Sequence, residues 1–211
     1  MTIASLTLES GRTDVFAGAR SAVYQRLAEA LAYPSEHFLG HLADGEWEDG
    51  LRGLFDELPV AVEVSACPSG IDGLAEGYVN VFEVGIGRPF CPLYEGSHRN
   101  GRLKLMEDLV RFYEHFGLKT VEGDQPDHIC AELEFMHYMA FKQAAALSHG
   151  EEARSLVLAQ RDFLDRHLCK WLPRVRSRLD EGRDVPEFYR WIAGLAGEFC
   201  RLDLLWLRSE A

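Results

Sequence analysis

Between Asp127 and His137 the run Asp-His-Ile-Cys-Ala-Glu-Leu-Glu-Phe-Met-His opens a long apolar-periodic segment with several titratable groups. At 3.6 residues per turn, side chains three and four apart share a face, and three kinds of chemistry fit this spacing. In the plainest, Asp127 sits in the first helical turn against the positive end of the helix dipole and His128 pairs with Glu132 at i,i+4. In the second, Glu134 and His137 form one E-x-x-H pair and Glu95 and His98 another, the ligand type of bundles that hold two metal ions. A ferritin-like di-metal oxidoreductase using Glu95, His98, Glu134 and His137 is therefore the alternative function. Against it, Glu95 to His98 follows Pro92 and contains Gly96, where such a centre needs a long helix. In the third, Asp127 and His128 stand at the mouth of a groove and orient an incoming peptide. Spacing alone leaves all three open.

Other chemistries find no support. No G-x-x-x-x-G-K-[ST], no G-x-G-x-x-G and no G-x-S-x-G occurs, and Gly85-Ile86-Gly87 is too short to cradle a phosphate. The five cysteines, Cys67, Cys91, Cys130, Cys169 and Cys200, are odd in number and never spaced C-x-x-C, so neither a disulfide framework nor a zinc site is expected. We expect no metal and no cofactor. Acidic residues outnumber basic ones by 34 to 22, for a net charge of −12, which repels phosphate backbones and argues against nucleic acid. Glu36 to Glu83 concentrates eleven of those carboxylates against one base, Arg52. That stretch is either a solvated face or a docking surface for something basic.

The elements that must position these groups are helices. From Asp14, residues Phe16, Ala19, Val23, Leu27 and Leu31 recur at three- and four-residue steps until Tyr33-Pro34 ends the run. Further helices are expected at Glu36 to Ala43, Glu46 to Leu58 and Ile71 to about Val84. Gly85 to Pro92 holds two glycines and two prolines, which makes it an ordered loop. Beyond it, Leu105, Leu109, Phe112 and Phe116 form one apolar face and Met106, Val110 and Tyr113 a second, predicting a helix buried on two sides and capped by Gly117. Pro126 opens the long helix carrying Ile129, Leu133, Met136 and Ala140, which runs to about Leu147. Helices at Glu151 to His167 and Cys169 to Leu179 follow, then a last one with Phe188, Ile192, Leu195, Phe199, Leu202 and Trp206 in register.

Val60 to Val64 is too short to found a sheet. The fold class is all-α, a globular bundle of about eight helices forming one domain over residues 1–211, with 1–13 a flexible start. No apolar run is long enough to span a membrane and no signal sequence opens the chain, so a cytoplasmic location is expected.

Several landmarks match one family. Pro126-Asp-His-Ile-Cys-Ala-Glu-Leu-Glu-Phe-Met136 resembles the D-H-[IL]-x-x-E-L-x-F-M helix start of the TorD/DmsD/NarJ family, the dedicated maturation chaperones of molybdenum enzymes. Arg20 to Pro34 resembles that family's first helix, Tyr78-Val-Asn-Val-Phe82 its Y-x-x-[LV]-F segment, and Cys91-Pro-Leu-Tyr-Glu-Gly-Ser97 its P-x-Y-[EG]-S loop. Pro92-Leu-Tyr-Glu-Gly and His98-Arg99 are most similar to chaperones serving type II enzymes of the dimethyl sulfoxide reductase family.

The resemblance implies a non-enzymatic TorD-like protein. Its partner would be the catalytic subunit precursor of such a molybdoenzyme, held for insertion of the bis-molybdopterin guanine dinucleotide cofactor, with guarding of its twin-arginine signal peptide as a further expected role. By family precedent, Tyr94, Glu95, Asp127 and His128 contact the client, with Phe82 and Pro92 as groove walls. Asp127 and the acidic helices would attract the basic start of the signal, His128 would make an orienting hydrogen bond, and Phe82 and Tyr94 would face its apolar part. The chain departs from the family in its loop, where several members carry tryptophan and Tyr94 stands in the matching place. A monomer, or a dimer exchanging elements across the polar hinge Lys119 to Gln125, is expected.

Overall fold

The apolar steps of the sequence fold as helices wherever three or more of them run without a breaker. The structure is a computed structural model that describes residues 13–69, 71–119 and 125–210. In chain order the helices are α1 (Thr13–Ala30), α2 (Glu36–Ala43), α3 (Glu46–Asp56), α4 (Leu74–Tyr78), α5 (Glu95–His98), α6 (Arg102–His115), α7 (Ile129–Ser148), α8 (Arg154–Arg166), α9 (Leu168–Glu181) and α10 (Glu187–Glu210). Eight of these span eight residues or more, and among the described residues there is no strand. The all-α expectation holds. Residues 1–12, at the expected flexible start, and 120–124, at the expected hinge, lie outside the described residues.

α1 packs along α7, while α10 packs along α9 and α8. Their apolar faces meet in a core that includes Val23, Leu27, Leu133, Met136, Trp171, Ile192 and Phe199. Burying a side chain of this kind contributes about 1.5–3 kcal/mol. Of the eleven carboxylates between Glu36 and Glu83, all but Glu48 are exposed. Glu48 turns inward to accept from Arg52 at 2.6 Å and from the backbone N–H of Cys67 at 3.1 Å. Arg52 also donates to the carbonyls of Val64 and Ser65. The β-rich stretch Val60 to Val64 is thus strapped to α3 as coil.

Around the loop, three features differ from the sequence expectation. The helix expected from Ile71 to Val84 begins only at Leu74, and its second half, Val79–Glu83, is a π-helical turn closed by Val84 N–H donating to Val79 O at 2.8 Å. The widened turn buries both Val81 and Phe82 and leaves the carbonyl of Val81 free to accept from Cys91 N–H at 2.9 Å, which ties the loop back onto it. α6 buries one face, Leu105, Leu109 and Tyr113, while Met106 and Val110 remain half-buried, so it is not enclosed on two sides. Gly117, at φ +79°, ends it as expected. Finally, Pro126 and Asp127 precede α7 and do not belong to its first turn, because His128 is the N-cap.

Candidate functional site

The Gly/Pro loop and the start of α7 meet at one point, where Tyr94 and His128 form an isolated antiparallel bridge. Glu95 N–H donates to Asp127 O at 2.8 Å and Ile129 N–H donates to Leu93 O at 2.9 Å. The two residues read as a helix start therefore cap two different helices. Asp127 Oδ2 accepts from Gly96 N–H at 3.0 Å, which caps α5, whose own N-cap residue Tyr94 contributes no side-chain cap. His128 Nδ1 accepts from Cys130 N–H at 3.3 Å, which caps α7. A Cβ on Gly96 would stand 2.9 Å from Asp127 Oδ2 and 3.0 Å from Arg102 Cγ, so this close approach requires glycine.

Above this clip, the rings of Tyr94 and His128 meet edge to face, with centroids 5.0 Å apart, and both are half-buried. Burial holds the His128 imidazole below its usual pKa although Asp127 opposes the shift, which favours the neutral ring that its capping role needs.

Beneath the clip lies a cluster of buried ionisable groups. Glu95 is fully buried and pairs with Arg99 and with His167 Nδ1, the latter at 2.9 Å. Glu132, also fully buried, accepts from the Trp171 indole N–H at 3.0 Å. Burial first, and then repulsion from the nearby Glu95, push its carboxyl well above the usual range, which favours its protonated form. Tyr113 donates to Pro126 O at 2.8 Å, tying α6 to the same point. Among the described residues, Asp127 Oδ1, Glu132 Oε1 and His167 Nε2 are buried without a hydrogen-bond partner.

The sequence-predicted residues thus divide. Tyr94, Glu95, Asp127 and His128 are brought together. Asp127 and Glu95, at 0% exposure, lie under the surface and not on it. Phe82, expected as a groove wall, is 3% exposed and packs edge to face between Tyr78 and Tyr189, so it is core. Pro92 lines a neighbouring basin and accepts from His98 Nε2 at 2.7 Å. Glu132 is inside and does not pair with His128 on the surface. Its position three residues after Ile129 and four before Met136 puts it on the apolar face of α7, a signal that sequence reading missed. His167 and Trp171, the other unforeseen members, carry no such signal.

The two E-x-x-H pairs go to separate partners. Glu95 is held by Arg99 and His167, and His98 by Pro92. His137 meets Ser21 at 2.9 Å, and Glu134 is exposed beside it in a groove of about 890 Å³ between α1, α3 and α7. Among the described residues no group of three or more His, Cys, Asp or Glu is placed to hold a metal ion. No helix among them is long and apolar enough to cross a membrane.

In this all-helical bundle the buried carboxylates clip a loop to a helix start beneath a half-buried pair of rings and hold that pair in place. The family model for the nitrate reductase delta subunit matches residues 44–177, more than half of the chain. The chain belongs to this family, the TorD/NarJ family of assembly chaperones. It is 35% identical over 161 residues to the selenate reductase assembly chaperone protein of Thauera selenatis, covering 74% of this chain and 75% of that one. It is 32% identical over 206 residues to the perchlorate reductase assembly chaperone protein of Dechloromonas aromatica, covering 86% of each. These relatives are assembly chaperones, not catalysts. An Archaeoglobus fulgidus crystal structure described as a redox enzyme maturation protein superposes with a TM-score of 0.50 at 18% identity, over 94% of this chain and 99% of that one, and shares the fold.

Proposed function

We propose that this protein is a dedicated cytoplasmic chaperone for the catalytic subunit precursor of a type II dimethyl sulfoxide reductase family molybdoenzyme. It holds that precursor for insertion of the molybdenum cofactor, which is the client's cargo and not a resident group, and guards its twin-arginine signal peptide. The reading rests on one observation: the half-buried Tyr94–His128 ring pair, 5.0 Å between centroids, stands on a clip made by fully buried Asp127 and Glu95.

The rings offer an edge and a face to an apolar peptide side chain, and His128 Nε2 is left to donate because Nδ1 accepts from the backbone. Asp127 works through Gly96 as a positioning residue, so the attraction for a basic signal falls to the exposed carboxylates of Glu36 to Glu83. The chain acts as one domain over residues 1–211, as a monomer or an element-exchanged dimer.

Co-expression of the tagged chain with the catalytic subunit of a type II enzyme, followed by affinity purification at low and high salt, tests this. Wild type retains the cofactor-free precursor and loses it progressively as salt rises. Tyr94→Ala with His128→Ala weakens capture by about tenfold or more, on the scale of one lost aromatic and one lost polar contact. Undiminished capture by that double variant overturns the site, and no capture by wild type overturns the function.

A further inference from the structure

On this strongly acidic chain one surface is cationic. Lys170, Arg174 and Arg178 follow each other at i, i+4 and i+8 on α9, while Trp171, Leu172, Val175 and Leu179 bury its opposite face. Arg174 and Arg178 reach a basin of about 460 Å³, together with Arg88, His98 and the hydroxyls of Ser97 and Ser177. Glu181 is the only carboxylate among the described residues lining it. Lys170 reaches a second basin of about 400 Å³, with Arg99, Lys104 and Arg166, where it pairs with Asp165 at 3.6 Å and Arg166 pairs with Asp108 at 3.1 Å. The stripe on α9 connects the two.

The cations of the first basin are mostly unspent. Arg88 is exposed and pairs with no carboxylate among the described residues. Among the described residues, exposed Arg174 donates only to the carbonyl of His98. Arg178 meets Glu181 at 2.9 Å and lies over the Phe90 ring at 4.4 Å, so its guanidinium is held in place at the basin wall. Pro92, Phe90 and Pro173 supply apolar patches between these charges. The exposed carboxylates of α2 to the π-turn, by contrast, all precede Arg88 and α9 in the chain, and none of them lines either basin.

We infer that the α9 stripe and its two basins are a docking surface for an extended acidic peptide segment of a protein partner, engaged by Arg88, Lys170, Arg174 and Arg178. Charge complementarity selects the occupant, because the guanidinium groups of Arg88 and Arg174, which meet no carboxylate among the described residues, stand beside apolar plates and suit carboxylates on a chain with intervening apolar side chains. Shape selects a peptide over a small anion. Lys170 to Arg178 covers on the order of 12 Å of helix, about four residues of extended chain, and joins basins that one phosphate could not bridge. The inference goes beyond the chaperone reading and uses neither Tyr94 nor His128.

Fluorescence anisotropy with a labelled decapeptide of alternating Asp/Glu and Leu/Ala, against a Gln-substituted neutral version, reads this directly. Wild type binds the acidic probe, and raising salt weakens it. Arg88→Ala with Arg174→Ala weakens it by about fivefold or more, while Arg201→Ala, which removes a cation from the exposed face of α10, leaves it unchanged. If the double variant melts early, Arg88→Ala alone carries the test with an expected loss of about twofold. Equal binding of acidic and neutral probes, equal binding by wild type and the arginine variants, or tighter binding of a ten-residue oligodeoxythymidine overturns the proposal. So does a concentration-dependent dimer in light scattering that the arginine substitutions dissolve, which would assign the stripe to a second copy. Tyr94→Ala with His128→Ala leaves acidic-probe binding intact, so failure of the client site and failure of the stripe are told apart.

Discussion

Two clusters of charged and polar side chains lie inside the bundle, and they differ in how fully their atoms are paired. In the first, Arg20 on α1 meets Asp203 on α10, Gln143 on α7 and Gln160 on α8, with donor distances of 2.9 Å to Asp203 Oδ2, 2.9 Å to Gln143 and 2.7 Å to Gln160. Tyr24 donates to Asp203 at 2.7 Å and Gln160 donates to Gln143 at 2.9 Å. No buried atom of Arg20, Asp203, Gln143 or Gln160 lacks a partner. The orphan nearby is the Trp206 indole N–H, over whose ring the guanidinium lies at 4.8 Å. In the second cluster, under the loop, Asp127, Glu132 and His167 each leave one buried atom unpaired among the described residues. An unmet buried polar atom costs about 1–3 kcal/mol, and such atoms call for an explanation beyond packing. The first cluster locks four helices together. The second keeps the loop–helix junction in place with those atoms unmet, beneath the surface proposed to contact the client.

The comparison breaks most visibly at the closed network. Asp203→Ala leaves Arg20 buried without its carboxylate, and the expected loss is about 3–5 kcal/mol, read from the urea midpoint, with the Tyr94–His128 surface unaltered in the variant that still folds. Gly96→Ala strikes the other cluster. Its new Cβ meets Asp127 Oδ2 at 2.9 Å, so the cap on α5 must shift, at an expected 1–3 kcal/mol for overpacking (about that range). Here client capture falls further than stability does. A variant that loses stability but captures the precursor as wild type does would show that the clip is only structural.

The sequence made the fold readable wherever apolar residues recur at helical steps over several turns, as in α1, α7 and α10. It misled where one residue changes the geometry. The π-turn at Val79–Glu83 is invisible to a period of 3.6, and it is what carries Phe82 from an expected groove wall into the core. Asp127 and His128 stood out by type, yet their roles depend on Gly96 and Cys130, one of which lies thirty-one residues away and is brought in by tertiary packing. Glu132 was the recoverable error, because a charged residue on an apolar stripe signals a buried group. His167 and Trp171 reach the cluster only through the packing of α8 and α9 against the loop, which no local pattern announces.

The smallest expected effect concerns that same carboxyl and tests whether the open cluster is held neutral. Glu132 faces Glu95, Asp127 and Tyr113, and its pKa is raised above the ordinary value of 4.5 by burial and then by Glu95. A raised carboxyl binds its proton more tightly in the folded state. Its contribution to stability is therefore complete below about pH 4.5 and is lost as pH rises toward the folded pKa. Glu132→Gln keeps the acceptor for Trp171 and cannot titrate, so it lies within about 1 kcal/mol of wild type at low pH and gains on it as pH rises. The lowered pKa values of His98 and His128 tilt stability the other way, lost as pH falls below the usual histidine range, but they act in both proteins and cancel in the difference. Urea titrations of the pair from pH 4 to 8 measure that difference. A difference independent of pH would mean that Glu132 is ionised as it would be in water, and the contrast between a closed network and an open protonated one would fail at its central residue.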